Sequence, residues 1–278
     1  MLKFIYIAGL EHSGTSLLGH LLSQQPNVLG LGEIASFFSP RHMDAYMRRW
    51  GHLPDAQICS CGNAWNACSF WGPIIELNGL RSTLSLPDKY ADLLTYVRTQ
   101  HGQTRIIVDS SKSLETFDLV LNNIRTIGLD MRNIHVVLLV KDVRNFAASV
   151  ARRSRKPSHS LAHLRTFNWW AHVNRKYLSY LKETKLSYDV VSYEHLCFET
   201  TETLNRILKR FDLGLCRDLS NLERRSHIAM GNKNFTMRNI DRIRYDDTWM
   251  ADSHLDFAYA IHPGARRLNQ TFYHLSRR

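Results

Sequence analysis

Residues 3–24 read KFIYIAGLEHSGTSLLGHLLSQ, and this stretch decides the fold. Phe4 to Gly9 is a short apolar, β-rich run, and from Thr15 to Gln24 the leucines Leu17, Leu18, Leu21 and Leu22 recur at helical spacing. The order is strand, loop, helix. The loop, GLEHSGTS from Gly9 to Ser16, has the glycine spacing of a phosphate-binding turn, in which backbone N–H groups converge on an anion at the N-terminus of the next helix. The nucleotide triphosphatase form of this turn needs Lys and then Ser or Thr after its second glycine, whereas Gly14 is followed by Thr15 and Ser16. No compact cation stands where a transferred phosphoryl group would build up charge, which weighs against an ordinary ATPase or kinase. Taken alone, the turn also reads as a tight connection with Thr15 or Ser16 as helix cap.

Working outward, the same pattern repeats. Pro26 ends the helix, and Asn27 to Leu31 makes a second strand that stops at Gly32 and Glu33. A helical stretch from Asp88 to Gln100 precedes a third strand, Arg105 to Asp109, with Ser110, Ser111 and Lys112 at its tip and a helix from Leu114. Ile134 to Val140 is the most apolar strand; it delivers Lys141, Asp142 and Arg144 onto a turn before the helix Phe146 to Arg153. Tyr188 to Ser192 forms a further strand leading to Tyr193 and Glu194. Continuous apolar strands alternating with helices predict an α/β fold, a parallel β-sheet flanked by helices on both faces. Ligands of such sheets bind beyond the carboxyl ends of the strands, where every unusual polar cluster of this chain falls. Residues 34–82, rich in Trp, His, Gly and Cys, read as a lid-like insertion into one domain spanning 1–278. From residue 220 onward the pattern assigns no element.

The chain has 278 residues, 44% of them hydrophobic, enough for a large core. Its apolar runs are strand-sized, far short of the roughly 20 residues of a membrane helix, and the N-terminal run lacks the organisation of a signal peptide. The expectation is a cytoplasmic protein whose five cysteines stay reduced, without a disulfide framework. A net charge of +11, from 36 Lys and Arg against 25 Asp and Glu, asks for an anionic partner. Basic residues gather between Arg144 and Lys156, at Arg224 and Arg225, and from Arg238 to Arg244, without the aromatic interleaving of a single-strand binder. A polyphosphate-like ligand is favoured over nucleic acid. Two competing readings are a nucleotide kinase and a non-catalytic basic nucleotide- or RNA-binding module.

Four segments in order resemble the sulfotransferase family. EHSGTSLL is similar to its 5′-phosphosulfate loop, with His12 where Lys or Arg is usual. VVLLVKDVRNFAAS resembles its 3′-phosphate motif, a strand ending in a basic residue with a serine eight positions later; Lys141 and Ser149 match, Lys again standing where Arg is usual. VDSSK, ending at Lys112, and SYEHL, from Ser192 to Leu196, resemble two further family segments. CSCG at Cys59 to Gly62, with Cys68, Phe70 and Trp71, is similar to a bacterial subgroup, as is GNKNF from Gly231 to Phe235 with Asp247 and Trp249 downstream.

The resemblance implies a P-loop-like sulfotransferase fold, 3′-phosphoadenosine-5′-phosphosulfate (PAPS) as donor and a small-molecule acceptor carrying a hydroxyl or amine. His12, Ser13, Gly14, Thr15 and Ser16 would hold the 5′-phosphate and sulfate, and Lys141 and Ser149, helped by Arg144, the 3′-phosphate. Asn232 and Lys233 would also touch the donor. Glu33 is the candidate general base, since the acceptor must lose a proton as it attacks sulfur; other branches of the family use a histidine from a later segment. Lys112 would stabilise the bridging oxygen of the leaving phosphate. His12, with an unperturbed pKa of about 6.5, should make its contact pH-dependent near neutrality. An insertion carrying Trp50, Trp65, Phe70 and Trp71 suggests a natural product or sugar as acceptor. Cys59, Cys61 and Cys68 with His52 have the composition of a Cys3His zinc site, but C-x-C is not the common spacing, and packing cysteines without metal are the favoured reading.

Overall fold

The computed structural model describes residues 2–79, 84–154, 159–213, 219, 222, 226–231 and 243–277. Five strands, β1 (Lys3–Ala8), β2 (Val28–Gly32), β3 (Ile106–Lys112), β4 (Ile134–Val140) and β5 (Ser187–Ser192), form one sheet in the order β2-β3-β1-β4-β5. Every pairing is parallel. The helices are α1 (Thr15–Leu22), α2 (Ile34–Phe38), α3 (Pro40–Trp50), α4 (Trp71–Gly79), α5 (Leu86–Gln100), α6 (Leu114–Asn122), α7 (Ile124–Ile127), α8 (Val143–Ser154), α9 (Ser160–Thr184), α10 (Tyr193–Phe198), α11 (Thr200–Lys209), α12 (Ser253–Ala260) and α13 (Pro263–Leu275).

Side chains of a strand alternate between faces, so a sheet covered on both sides has apolar residues at every position. In β1, Phe4, Tyr6 and Ala8 enter one core while Ile5 and Ile7 enter the other. In β4, Val136, Leu138 and Val140 likewise oppose Val137 and Leu139. The smaller core is closed by α1, α10 and α11 through Leu17, Leu21, Leu196 and Leu204. The larger lies under α2, α5, α6, α8 and α9 and takes in Phe37, Trp65, Phe70, Trp71 and Trp170. Of the aromatic residues singled out in the insertion, Trp50 stays partly exposed beneath the Arg49 guanidinium, whereas the others are spent on packing: Trp65, Phe70 and Trp71 are buried against Phe37 and Tyr96. They do not present the acceptor surface their sequence suggested, because a sheet face of this size needs them as cover.

The strands end together, which gathers the polar segments on one edge. Ala8 pairs with Lys112, Gly32 with Asp109 and Val140 with Ser192. β3 runs three residues past its expected end, through the SSK tip, so Lys112 is a strand residue. Ser113 then caps α6 by accepting a hydrogen bond from the Thr116 N–H, and Ser192 caps α10 through the His195 N–H. Each cap turns the chain from strand to helix just beyond the edge. No described helix is long and apolar enough to cross a membrane.

Candidate active site

The loop expected to bind phosphate joins β1 to α1. Gly14 is the N-cap, at φ 97°, and no side chain caps it. The first-turn N–H groups of any helix lack helical partners and carry the positive end of its dipole, so this end offers donors to an anion. Ser13 spends its N–H on the Leu10 carbonyl, 3.2 Å away, and so stabilises the turn. A side chain at Gly14 is doubly excluded: the φ is left-handed, and a Cβ would stand 2.7 Å from Tyr193 Cδ2.

His12 is half-buried beside the loop, also in the left-handed region at φ 70°. Burial, with Arg153, Lys112 and Lys141 nearby, pushes its imidazole from 6.5 down to about 4. The free protein thus holds His12 neutral at pH 7, and the titration near neutrality expected from the sequence is displaced to acid pH. Arg153, Lys112 and Lys141 disfavour protonation of the ring and Glu11 opposes them, so the balance of charge around it is cationic.

Glu33 stands at the end of β2 as the residue preceding α2, with its side chain 19% exposed. Its Oε1 is paired with Nζ of Lys112, the last residue of β3, itself at φ 70° and 17% exposed. Ser36 Oγ donates to Glu33 Oε2 at 3.3 Å. Non-glycine residues cost about 1–2 kcal/mol in the left-handed region, and such strain concentrates at functional sites. Beneath the pair, buried Asp109 accepts from Tyr90 Oη at 2.6 Å and from the Ser111 N–H at 2.8 Å, fixing the tip of β3. Desolvation pushes the Asp109 carboxyl up to about 6.

Lys141 and Ser149 meet. Lys141 Nζ, buried, donates to Ser149 Oγ at 3.3 Å, lies 3.8 Å from Asp246 Oδ2 and sits 4.4 Å above the Tyr193 ring. The same Tyr193 ring packs on Gly14, so one aromatic side chain spaces Lys141 from the phosphate loop. The eight-residue interval works because β4 ends at Val140 and α8 begins at Val143, which returns Ser149 over the strand end on the second turn of the helix. Burial lowers the Lys141 pKa, and Asp246 and Glu194 oppose that shift.

Arg144 is engaged elsewhere. Its guanidinium grips Asp142 through Nε at 3.1 Å and Nη2 at 3.0 Å, between the rings of Trp249 and Tyr259. That arrangement makes it a clamp between α8 and the C-terminal helices. Sequence reasoning missed Asp246 and Arg152, which pair with each other and flank Ser149; the DDTW run from Asp246 to Trp249 was the available signal. Asn232 and Lys233 lie outside the described residues, but their neighbour Gly231 is placed: a methyl group there would meet Ser16 Oγ at 3.2 Å and Glu33 Oε1 at 3.8 Å. A groove of about 900 Å³ opens at the other end of the sheet, lined by Lys3, Arg98, Arg105 and Phe211. It contains none of these residues.

A parallel sheet with a glycine-bearing turn between its first strand and first helix, and a buried lysine–serine pair after its fourth strand, defines an α/β protein with a P-loop-like turn. The profile of the sulfotransferase family matches residues 5–216, and the chain belongs to that family. Its fold is similar to the sulfotransferase domain of the Synechococcus PCC 7002 olefin synthase, with a TM-score of 0.57 and 16% identity over 98% of this chain and 94% of that one. It is also similar to the sulfotransferase domain from the curacin biosynthetic pathway, with a TM-score of 0.55 and 16% identity over 94% and 97%. No curated protein matches the chain in sequence.

Proposed function

We propose that this cytoplasmic protein moves a sulfuryl group from PAPS to a hydroxyl or amine of a small-molecule acceptor by in-line displacement. The observation that carries the reading is the Lys141–Ser149 pair, 3.3 Å apart, with the Tyr193 ring against both Lys141 and Gly14 of the loop. A second anion site at that position suits a nucleotide phosphorylated on both its 5′ and 3′ oxygens and is of no use to ATP. The loop suits the donor's 5′ end: first-turn N–H groups of α1, neutral His12 as a hydrogen-bonding group, and the charge of Arg153, Lys112 and Lys141 felt at that histidine.

In this reading Glu33 accepts the proton that the acceptor loses as it attacks sulfur. Sulfuryl transfer places new charge on the bridging oxygen, so positioning and electrostatics supply most of the rate. Lys112 serves both partners. Its ammonium lies against the Glu33 carboxylate, and once Glu33 has taken the acceptor's proton the ammonium is released to the leaving phosphate. Glu33 and Lys112 occupy adjacent strand ends, as that exchange requires.

The test compares nucleotides. Adenosine-3′,5′-bisphosphate should raise Tm well above the effect of adenosine-5′-monophosphate, and labelled PAPS should yield labelled product with a pool of small hydroxyl and amine acceptors. Equal Tm shifts would remove the 3′-phosphate site. Tighter binding of ATP than of the bisphosphate would return the kinase reading.

A further inference from the structure

Outside the candidate active site, Cys59, Cys61, Cys68 and His227 bring one ligand atom each within 4.8 Å of one another. Cys61 Sγ and Cys68 Sγ are 3.7 Å apart, and His227 Nδ1 lies 3.2 Å from Cys68 Sγ and 4.0 Å from Cys59 Sγ. A tetrahedral zinc with ordinary Zn–S and Zn–N bonds separates two sulfurs by about 3.8 Å and a sulfur from a nitrogen by about 3.6 Å. The cluster has those dimensions. The histidine is not the one nearest in sequence: His52 is exposed, whereas His227 arrives from 168 residues beyond Cys59.

The chain around the cluster is built to hold these atoms. Gly62 N–H bonds the Cys59 carbonyl and Cys59 N–H the Asn63 carbonyl, both at 2.8 Å, closing a tight turn. Gly62 takes φ 95° in it, a conformation glycine adopts without penalty. The turn presents Cys59 and Cys61 to one point despite their C-x-C spacing. Two N–H groups face the sulfurs, the Trp71 backbone to Cys68 at 3.4 Å and the Asn63 amide to Cys61 at 3.8 Å. The His227 ring stacks on Phe70, and its carbonyl accepts from Trp71 Nε1 at 2.5 Å.

We infer that Cys59, Cys61, Cys68 and His227 bind a structural zinc ion. Soft thiolates with one imidazole in a tetrahedral set select zinc among common cellular metals, and four protein ligands leave no open position for catalysis. The ion staples residues 59–68 to residues 226–231. Ser60 and Ile228 pair through backbone and Ser60 Oγ bonds of 2.8–3.0 Å, His227 N–H bonds the Gly30 carbonyl, and Glu33 N–H bonds the Met230 carbonyl. The metal thereby secures the segment that runs alongside β2 to Gly231 at the mouth of the site. Folding energy comes from coordination here, as in other small metal-tied segments.

The experiment is metal analysis of the intact protein purified without chelator from zinc-supplemented medium. About one zinc per chain is expected, retained through gel filtration, with loss of that zinc in Cys61→Ser, whose thiol is the least packed of the three. Cys197→Ser, at a free cysteine outside the cluster, should keep it. The inference is overturned by zinc below about a tenth of an equivalent in the wild type, by iron or copper in its place, by a Cys61–Cys68 disulfide in the intact mass, by zinc retained in Cys61→Ser, or by zinc lost from Cys197→Ser.

Discussion

The Lys112 ammonium is paired with the Glu33 carboxylate across the ends of two neighbouring strands, although 79 residues separate them in the chain. Both side chains are mostly withdrawn from water, so each depends on the other for the solvation it has lost. The backbone at Lys112 accepts a left-handed φ of 70° to bring the ammonium there.

Glu33→Gln preserves shape and leaves an amide oxygen for Lys112, but the amide cannot take the acceptor's proton. Single-turnover rates should fall by about 10²-fold or more, and adenosine-3′,5′-bisphosphate should bind within about twofold of wild type. Near-full activity under conditions where chemistry limits the rate would dismiss Glu33 as the base.

Lys141→Ala removes the buried cation at the proposed 3′-phosphate site. Calorimetric titration should show adenosine-3′,5′-bisphosphate binding weakened by about 1.5–3 kcal/mol, the scale of a charge-assisted hydrogen bond, with adenosine-5′-monophosphate little affected. Asp246 keeps its pairing with Arg152 in the variant, so the tail stays docked. Equal losses for both nucleotides would place Lys141 elsewhere in the donor site.

What the amino-acid sequence made legible was local. Five apolar runs bounded by turns are five strands, and Lys141 and Ser149 were paired through the family motif they resemble; the structure brings them together because a strand end and the second turn of the next helix are close in space. The partners of those residues were hidden by distance: Asp246 reaches the lysine from the C-terminal region, and His227 completes the cysteine cluster from 159 residues past Cys68. Arg144 shows a second kind of hidden fact. Its charge was readable, but its direction was set by Asp142 two positions earlier and by aromatic rings more than a hundred residues later. His12 shows a third, since no residue string records how far burial and converging cations displace an imidazole.

Glu194 gives stability a pH dependence. Burial, reinforced by Asp142, pushes its carboxyl from 4.5 up to about 7. Between those values the unfolded chain releases the proton while the folded chain keeps it, so the contribution of Glu194 to stability falls as pH rises from 4.5 and is fully lost above 7. The full loss is at most roughly 3 kcal/mol. Glu194→Gln retains an oxygen for the Asp142 N–H, 3.2 Å away in the wild type, and cannot ionise. Urea denaturation across this window should show the variant gaining on the wild type as pH rises; parallel curves would mean that Glu194 ionises freely in the fold.

His12 should link donor binding to proton uptake. In the free protein its imidazole is held down at about 4 by burial and by Arg153, Lys112 and Lys141. A phosphate or sulfate at the loop neutralises those cations and adds negative charge beside the ring, and both changes favour the protonated form, so the pKa rises on binding. A group whose pKa rises in the complex takes up a proton, and affinity then increases as pH falls from the pKa of the complex toward 4. The ligand's own phosphates lose charge over part of the same range, which pulls affinity the other way, so the wild type alone does not isolate the effect. His12→Asn does: it keeps a side-chain donor at the loop and removes the titration, while the ligand and every other group are common to both proteins. Calorimetry of adenosine-3′,5′-bisphosphate binding in two buffers of different ionisation enthalpy should show greater proton uptake in the wild type than in His12→Asn between about pH 5 and pH 6.5, with the affinity ratio widening toward acid. Identical proton uptake in the two proteins would separate His12 from the donor's anionic groups and leave the loop backbone and Lys112 as their ligands.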